Sequence, residues 1–274
     1  MSGLGWNPED EDRHAKAIRA VEVPLTVSAP ADIPDTFDPS SWFRPENQGS
    51  LNSCCGNARA GLMEYLNWIE TKHVEQFSRR FAYVTAKMVD AKAGFGRLSR
   101  DEGATINGGI LASKEYGECL ESLAPYWQPG ERFTADLPTS AYEDAKKRRL
   151  KTSIPVAGYD DCDRLLTSGA GGLLLGIYWS APLAGNRSAW IERWPGESGG
   201  GHALWLGGWK TRDGARWPGM WNSHGTGWGD NGHAWVAPEI VDRWCKSSPF
   251  KVIGASDLDT PHERPLPLEA LPWT

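Results

Sequence analysis

The chain has 274 residues, 40% of them hydrophobic, and a formal net charge of -6. That is enough apolar material for one large packed core or two smaller ones about a shared cleft. The acidic balance excludes the electrostatic footprint of a nucleic-acid binder, and the basic run Lys146-Lys147-Arg148-Arg149 reads as one solvated helix face.

Taken from the start, residues 1–20 carry Glu9, Asp10, Glu11 and Asp12 and no apolar h-region, so no signal peptide is visible. No stretch is long and apolar enough to span a membrane. His14 to Val21 has room for one or two helical turns. From Asn47 the chain runs through Gln48, Gly49, Ser50, Leu51, Asn52 and Ser53 to Cys54, Cys55 and Gly56. The turn and cap residues before Cys54, followed by Ala58, Leu62, Leu66 and Ile69 at helical spacing, predict a helix that begins near Ser53. A cysteine in that first turn feels the positive end of the helix dipole and unsatisfied N–H groups, which favour thiolate over thiol. Taken alone, Cys54 and Cys55 read equally as small core residues.

Ser78 is placed as the N-cap of a second helix, with Phe81, Thr85 and Met88 on one face. Residues 94–100 form a loop, and Asn107-Gly108-Gly109 leads into a short helix over 110–116 stopped by Gly117. A linker rich in proline, glycine and charge spans 125–138, and Thr139 or Ser140 caps a polar helix to about Leu150. The pattern then turns to strands, at 154–157, 172–179, 189–194, 202–209, 219–222 and 233–236. Short helices are predicted near 161–166 and over 237–246, and a last strand over 250–253. The proline-spaced tail, 257–274, has no core periodicity.

Five cysteines, Cys54, Cys55, Cys119, Cys162 and Cys245, show neither metal-ligand spacing nor the even count of a disulfide framework. No metal and no cofactor is expected, and a reducing compartment fits best. The fifteen tryptophans read as core and cleft wall.

Three separated motifs carry a resemblance. Gln48, Gly49, Ser53 and Cys54 match the nucleophile motif of the papain-like cysteine peptidases; Gly201-His202-Ala203-Leu204 is similar to the family's histidine strand. The stretch Trp221-Asn222-Ser223-His224-Gly225-Thr226-Gly227-Trp228-Gly229 resembles its asparagine loop. The look is that of a bacterial or bacteriophage-type member without a long propeptide. The resemblance implies an α+β, two-lobed papain-like fold, with an α-rich first lobe, an antiparallel β-barrel-like second lobe and the active-site cleft between them. It divides the chain into an N-terminal extension (1–32), a peptidase domain (33–256, with the lobes meeting near 150) and a C-terminal arm (257–274).

The resemblance further implies hydrolysis of peptide bonds by Cys54 as thiolate, His202 as its imidazolium partner, Asn222 orienting the ring and Gln48 in the oxyanion hole. Substrate contact is expected from Asn52 and Ser53, from Gly108 and Gly109, and from His224 and Trp228. Family members join a loop before the nucleophile to the substrate loop by a disulfide, whose positions fall here on Leu51 and Ile106, so packing between these two is expected in its place. His224 stands where the family has a tryptophan, and Asn52 and Cys55 also depart from its pattern. Those departures keep two other readings open: a weak or inactive structural or interaction protein on this fold, as in a phage particle, and a cysteine amidase or acyltransferase. A polypeptide is the expected partner, with neither nucleic acid nor membrane, and the two arms are candidates for docking to a protein assembly. The expected location is cytoplasmic or virion-associated.

Overall fold

A computed structural model describes residues 5–6, 33–169, 171–247 and 251–256 of the chain. The C-terminal arm, the helical turns expected near His14, and all of the N-terminal extension except Gly5 and Trp6 lie outside these residues.

The centre of the molecule is helix α1, Cys54–Thr71. It begins where the cap residues place it and ends at Lys72, which adopts a left-handed conformation and donates its N–H to the Trp68 carbonyl. Nearly all of α1 is buried, because it is enclosed on one side by helices and on the other by a sheet. Helix α2, Arg79–Lys92, is capped by the Ser78 side chain, which accepts from the Phe81 N–H. Helix α3, Ile106–Glu115, is capped in the same way by Thr105, which accepts from the Gly108 N–H. Helix α4, Thr139–Ala145, is shorter than the polar pattern to Leu150 predicts. A buried Arg59 ties the helices together by bonding Glu118 and the carbonyls of Ala82 and Gly117. An ionised pair without exposure persists only because each of these partners replaces a lost water.

The sheet is built from β1 (Thr36–Phe37), β2 (Thr152–Pro155), β3 (Gly171–Trp179), β4 (Trp190–Ile191), β5 (Gly200–Arg212), β6 (Ala215–Trp221), β7 (His233–Val236) and β8 (Lys251–Ser256). Its order is β2-β8-β3-β5-β6-β7-β4, with β1 added to the far end of β5. Neighbours are antiparallel except β4 and β7, which run parallel. This corrects the barrel-like second lobe: the path is open, with β2 at one end and β4 at the other. Three short helices, α5 (Tyr159–Thr167), α6 (Ala181–Ala184) and α7 (Pro238–Lys246), complete the chain, and α5 and α7 pack against each other and against the sheet.

One apolar cluster runs from α1 and α2 through the sheet, and the described tryptophans belong to it or pack against it: Trp205 stacks on Trp221 at 5.0 Å, and Trp42 on Trp68 at 4.2 Å. Among the described residues no helix is long and apolar enough to cross a membrane.

Candidate active site

Cys54 opens α1 and faces strand β5, which carries His202. The backbone N–H of Ala203, next to His202, is directed at the Cys54 sulfur. Cys55, one residue further round the helix, turns into the core, where its thiol bonds the Thr105 carbonyl at 3.1 Å. The two cysteines that read alike in sequence therefore have different surroundings.

His202 Nε2 lies 2.8 Å from Asn222 Oδ1. The same oxygen accepts the Ser223 backbone N–H at 2.8 Å, which fixes the orientation of the amide. An amide oxygen only accepts, so His202 Nε2 must carry the proton. Nδ1 is then the bare nitrogen, and it is buried without a hydrogen-bond partner. Asn222 follows directly on β6, beside β5, and its N–H is anchored by the Gly232 carbonyl at 3.0 Å.

Gln48 is 1% exposed and held at four points. Its Nε2 donates to the Leu51 carbonyl at 2.8 Å and its Oε1 accepts from Ser223 Oγ at 2.6 Å. Its backbone N–H bonds the Ser223 carbonyl at 2.9 Å, and Tyr126 Oη donates to its carbonyl at 2.9 Å. The loop before the nucleophile and the loop after Asn222 are thus joined through Gln48, and beside it the Gly225 N–H donates to the Glu46 carbonyl at 2.7 Å.

His224 packs 4.7 Å from the His202 ring and edge-on to Trp179 at 5.2 Å. Burial holds it neutral, lowering its pKa to about 4. Trp228 stands behind, 5.6 Å from Trp179, with its indole N–H on the Leu183 carbonyl at 2.6 Å. Ser53 is fully buried and turned to Tyr126, Oγ to Oη 2.5 Å.

The two glycines expected at the substrate lie within a helix. Gly108 and Gly109 lie inside the first turns of α3, where a Cβ would meet Asp90 Oδ1 at 2.1 Å and Cys55 Sγ at 3.0 Å. The Thr105 cap starts the helix early and draws Asn107-Gly108-Gly109 into it. The strip bordering the cleft is Gly103–Ala104 instead. Leu51 is half-buried and Ile106 fully buried with its Cγ1 toward Gly176. The join between the two loops is polar: the Asn52 N–H reaches the Asp101 carboxylate at 3.0 Å, and Asn52 Nδ2 the Asp101 carbonyl at 2.8 Å.

The cleft is filled by the chain itself. The Ala104 N–H donates to the Gly5 carbonyl at 2.9 Å, and the Trp6 N–H to the Gly201 carbonyl at 3.2 Å, so one peptide unit spans both walls. The Gly5 N–H points at the Cys54 sulfur. A Cβ on Gly103 would lie 1.7 Å from the Gly5 oxygen, and one on Gly201 2.0 Å from the Trp6 oxygen, so both walls must be glycine for the segment to sit this close. The Trp6 indole is buried against Ile106, Tyr178 and Gly176, where a Cβ would approach the ring to 2.6 Å. Because the Gly5 carbonyl is bonded to Ala104, it is not offered to the thiol.

This cover reverses the electrostatics expected from the sequence. Cys54 is fully buried, and desolvation raises its pKa to about 11 against the opposing backbone N–H bonds. Burial, with His224 adding to it, lowers His202 to about 3. Both groups are neutral while Gly5 and Trp6 lie over them; the helix dipole alone does not make the thiolate in a site without solvent. Sequence reasoning missed Gly5, Trp6, Asp101, Gly103, Ala104, Gly176 and Gly201. Thr105, a cap three residues before Gly108, was the available signal for the helix start.

No protein-family model matches the chain, and no curated protein matches it. Solved structures do. Xylellain, a cysteine protease from Xylella fastidiosa, is 22% identical with a TM-score of 0.71, covering 93% of this chain and 96% of its own. A procathepsin B from Trypanosoma congolense is 15% identical, TM-score 0.65, covering 93% and 85%. Bromelain from Ananas comosus is 14% identical, TM-score 0.60, covering 82% and 99%. The chain has the fold of the papain-like cysteine proteases.

Proposed function

We propose that the protein is a thiol-dependent peptidase that hydrolyses peptide bonds through Cys54, His202 and Asn222, and that it is latent while Gly5 and Trp6 occupy the cleft. The observation that carries this reading is the tautomer of His202. Its Nε2–H is committed to Asn222, and the bare Nδ1 is left to accept a proton. With the cover withdrawn and water admitted, the Cys54 proton passes to Nδ1, and the thiolate and imidazolium stabilise each other at the helix start.

The thiolate attacks the scissile carbonyl carbon, and Gln48 Nε2 with the Cys54 backbone N–H receives the negative charge that forms on the oxygen. The imidazolium returns its proton to the leaving amine, giving an acyl-enzyme. Water, activated by the same ring, then releases the acid and restores the thiol. Ala104 N–H and the Gly201 carbonyl would bind substrate backbone as they now bind the 5–6 peptide, and the seat that holds Trp6 would take an aromatic side chain.

A peptidyl epoxide tests the reading. Stoichiometric alkylation of Cys54, abolished in His202→Ala with folding intact, is the expected result. A chain that unfolds normally but never reacts at Cys54, even with Trp6 replaced by Ala, would refute it.

A further inference from the structure

Outside the cleft, the sulfurs of Cys162 and Cys245 lie 3.6 Å apart, although the residues are 83 positions apart in sequence. Cys162 is in α5 and fully buried; Cys245 is in the last turn of α7 and half-buried. The two helices are already docked by a second contact, since the Tyr159 N–H at the start of α5 bonds Asp242 Oδ1 of α7 at 3.0 Å. Helix α5 packs on β3 and β5 and helix α7 on β6 and β8, so the pair lies against strands from both sides of the sheet's middle.

We propose that Cys162 and Cys245 form a reversible disulfide, acquired from a low-molecular-weight disulfide oxidant such as oxidised glutathione, that locks α5 to α7. The bond needs the sulfurs to close by about 1.5 Å to reach disulfide length, a movement within the reach of side-chain rotation. Cys245, the accessible thiol, loses its proton and attacks one sulfur of the oxidant; the oxidant's S–S bond breaks and one glutathione thiolate leaves. Cys162 then attacks the Cys245 sulfur of the mixed disulfide, and the second glutathione leaves. Two protein thiols are oxidised by two electrons, one oxidant disulfide is reduced to two thiolates, and these take up the two protons that the protein thiols lost. Cys162, being buried beside Cys245, meets the mixed disulfide and not the free oxidant.

The closed loop contains β3 to β7, and closure of a loop this long raises the midpoint of thermal unfolding by about 5 to 15 °C where the native geometry is kept. The proposal is independent of catalysis at Cys54 and is tested without it. The full-length chain is equilibrated with oxidised glutathione, the remaining thiols are alkylated, and the protein is digested and weighed. The expected result is a cross-linked peptide pair containing Cys162 and Cys245, two fewer alkylated thiols, a raised midpoint, and return of both on treatment with dithiothreitol. Cys245→Ser, at the more accessible of the two positions, is expected to keep the reduced-state midpoint and to lose the shift. Alkylation of both cysteines after equilibration, glutathione retained on Cys245 with Cys162 free, or a cross-link without a raised midpoint would each overturn the proposal.

Discussion

Replacing Trp6 by Ala is expected to unmask the nucleophile. The indole is 3% exposed. An aromatic ring of this class buries about 150–250 Å², which at about 25 cal/mol per Å² is about 4 to 6 kcal/mol as an upper bound. Measured truncations of buried aromatic residues to Ala cost about 3 to 5 kcal/mol. Here the loss falls on the covered form alone, since Trp6 is solvated once the segment has left. At about 1.4 kcal/mol per tenfold, the uncovered fraction rises by about 10² to 10³, up to the ceiling at which the cleft is always open. The assay is the second-order rate of Cys54 alkylation by a small epoxide at fixed pH, read by mass. Gly176→Val, which puts methyl groups where the ring lies, should give the same direction from the other side of the contact. An unchanged alkylation rate in Trp6→Ala, with the melting curve intact, would show that the segment does not control access.

Cys54→Ala and His202→Ala should each abolish thiol-dependent turnover, while Cys55→Ser, whose side chain faces the Thr105 carbonyl, should keep most of it; a dead Cys55→Ser enzyme that still alkylates at Cys54 would count against the assignment. Gln48→Ala should lower kcat/KM by about 10² to 10³, the usual loss for one oxyanion donor, and a smaller change would leave Gln48 as a loop tie only. Acid should loosen the cover in Cys54→Ala, where no thiol proton is available to His202, since the ring is held near 3 when covered and relaxes toward 6.5 when opened. The open form then binds the extra proton, so the cover is at full strength above about pH 6.5. Through this one group it weakens by up to about tenfold per pH unit down to about 3. Amide exchange at Ala104, whose N–H bonds Gly5, measures this directly, and pH-independent protection between 6.5 and 4.5 would contradict it.

Local patterns were legible and distant ones were not. Gly49, Ser50, Asn52 and Ser53 before an apolar repeat placed the start of α1, and the Ser78 cap placed α2. The same rule applied to Thr105 starts α3 at Ile106, whereas the glycine pair pointed to a start after Gly109. His202 and Asn222 were found because each sits in a dense local motif. The neutral state of His202 was not readable, because it follows from burial in the folded cleft, which residues distant in sequence complete. The nearness of Cys162 to Cys245 was hidden for the same reason: spacing reports neighbours along the chain, and these two meet only through helix packing.

The crosspiece formed by the 5–6 peptide unit also says what shape of molecule the vacated cleft would accept. Trp6 and Gly201 form an antiparallel bridge, the pairing used between strands. When the segment leaves, Ala104 and Gly201 present an unpaired donor and acceptor like the rim of an unfinished sheet. Such a rim is completed by extended backbone whatever its sequence, as in strand addition. A helix, whose carbonyls and N–H groups are already paired with one another, has nothing to give it. Unfolded or extended polypeptide should therefore be taken in preference to compact protein, with the discrimination resting on main-chain conformation before any side chain is read.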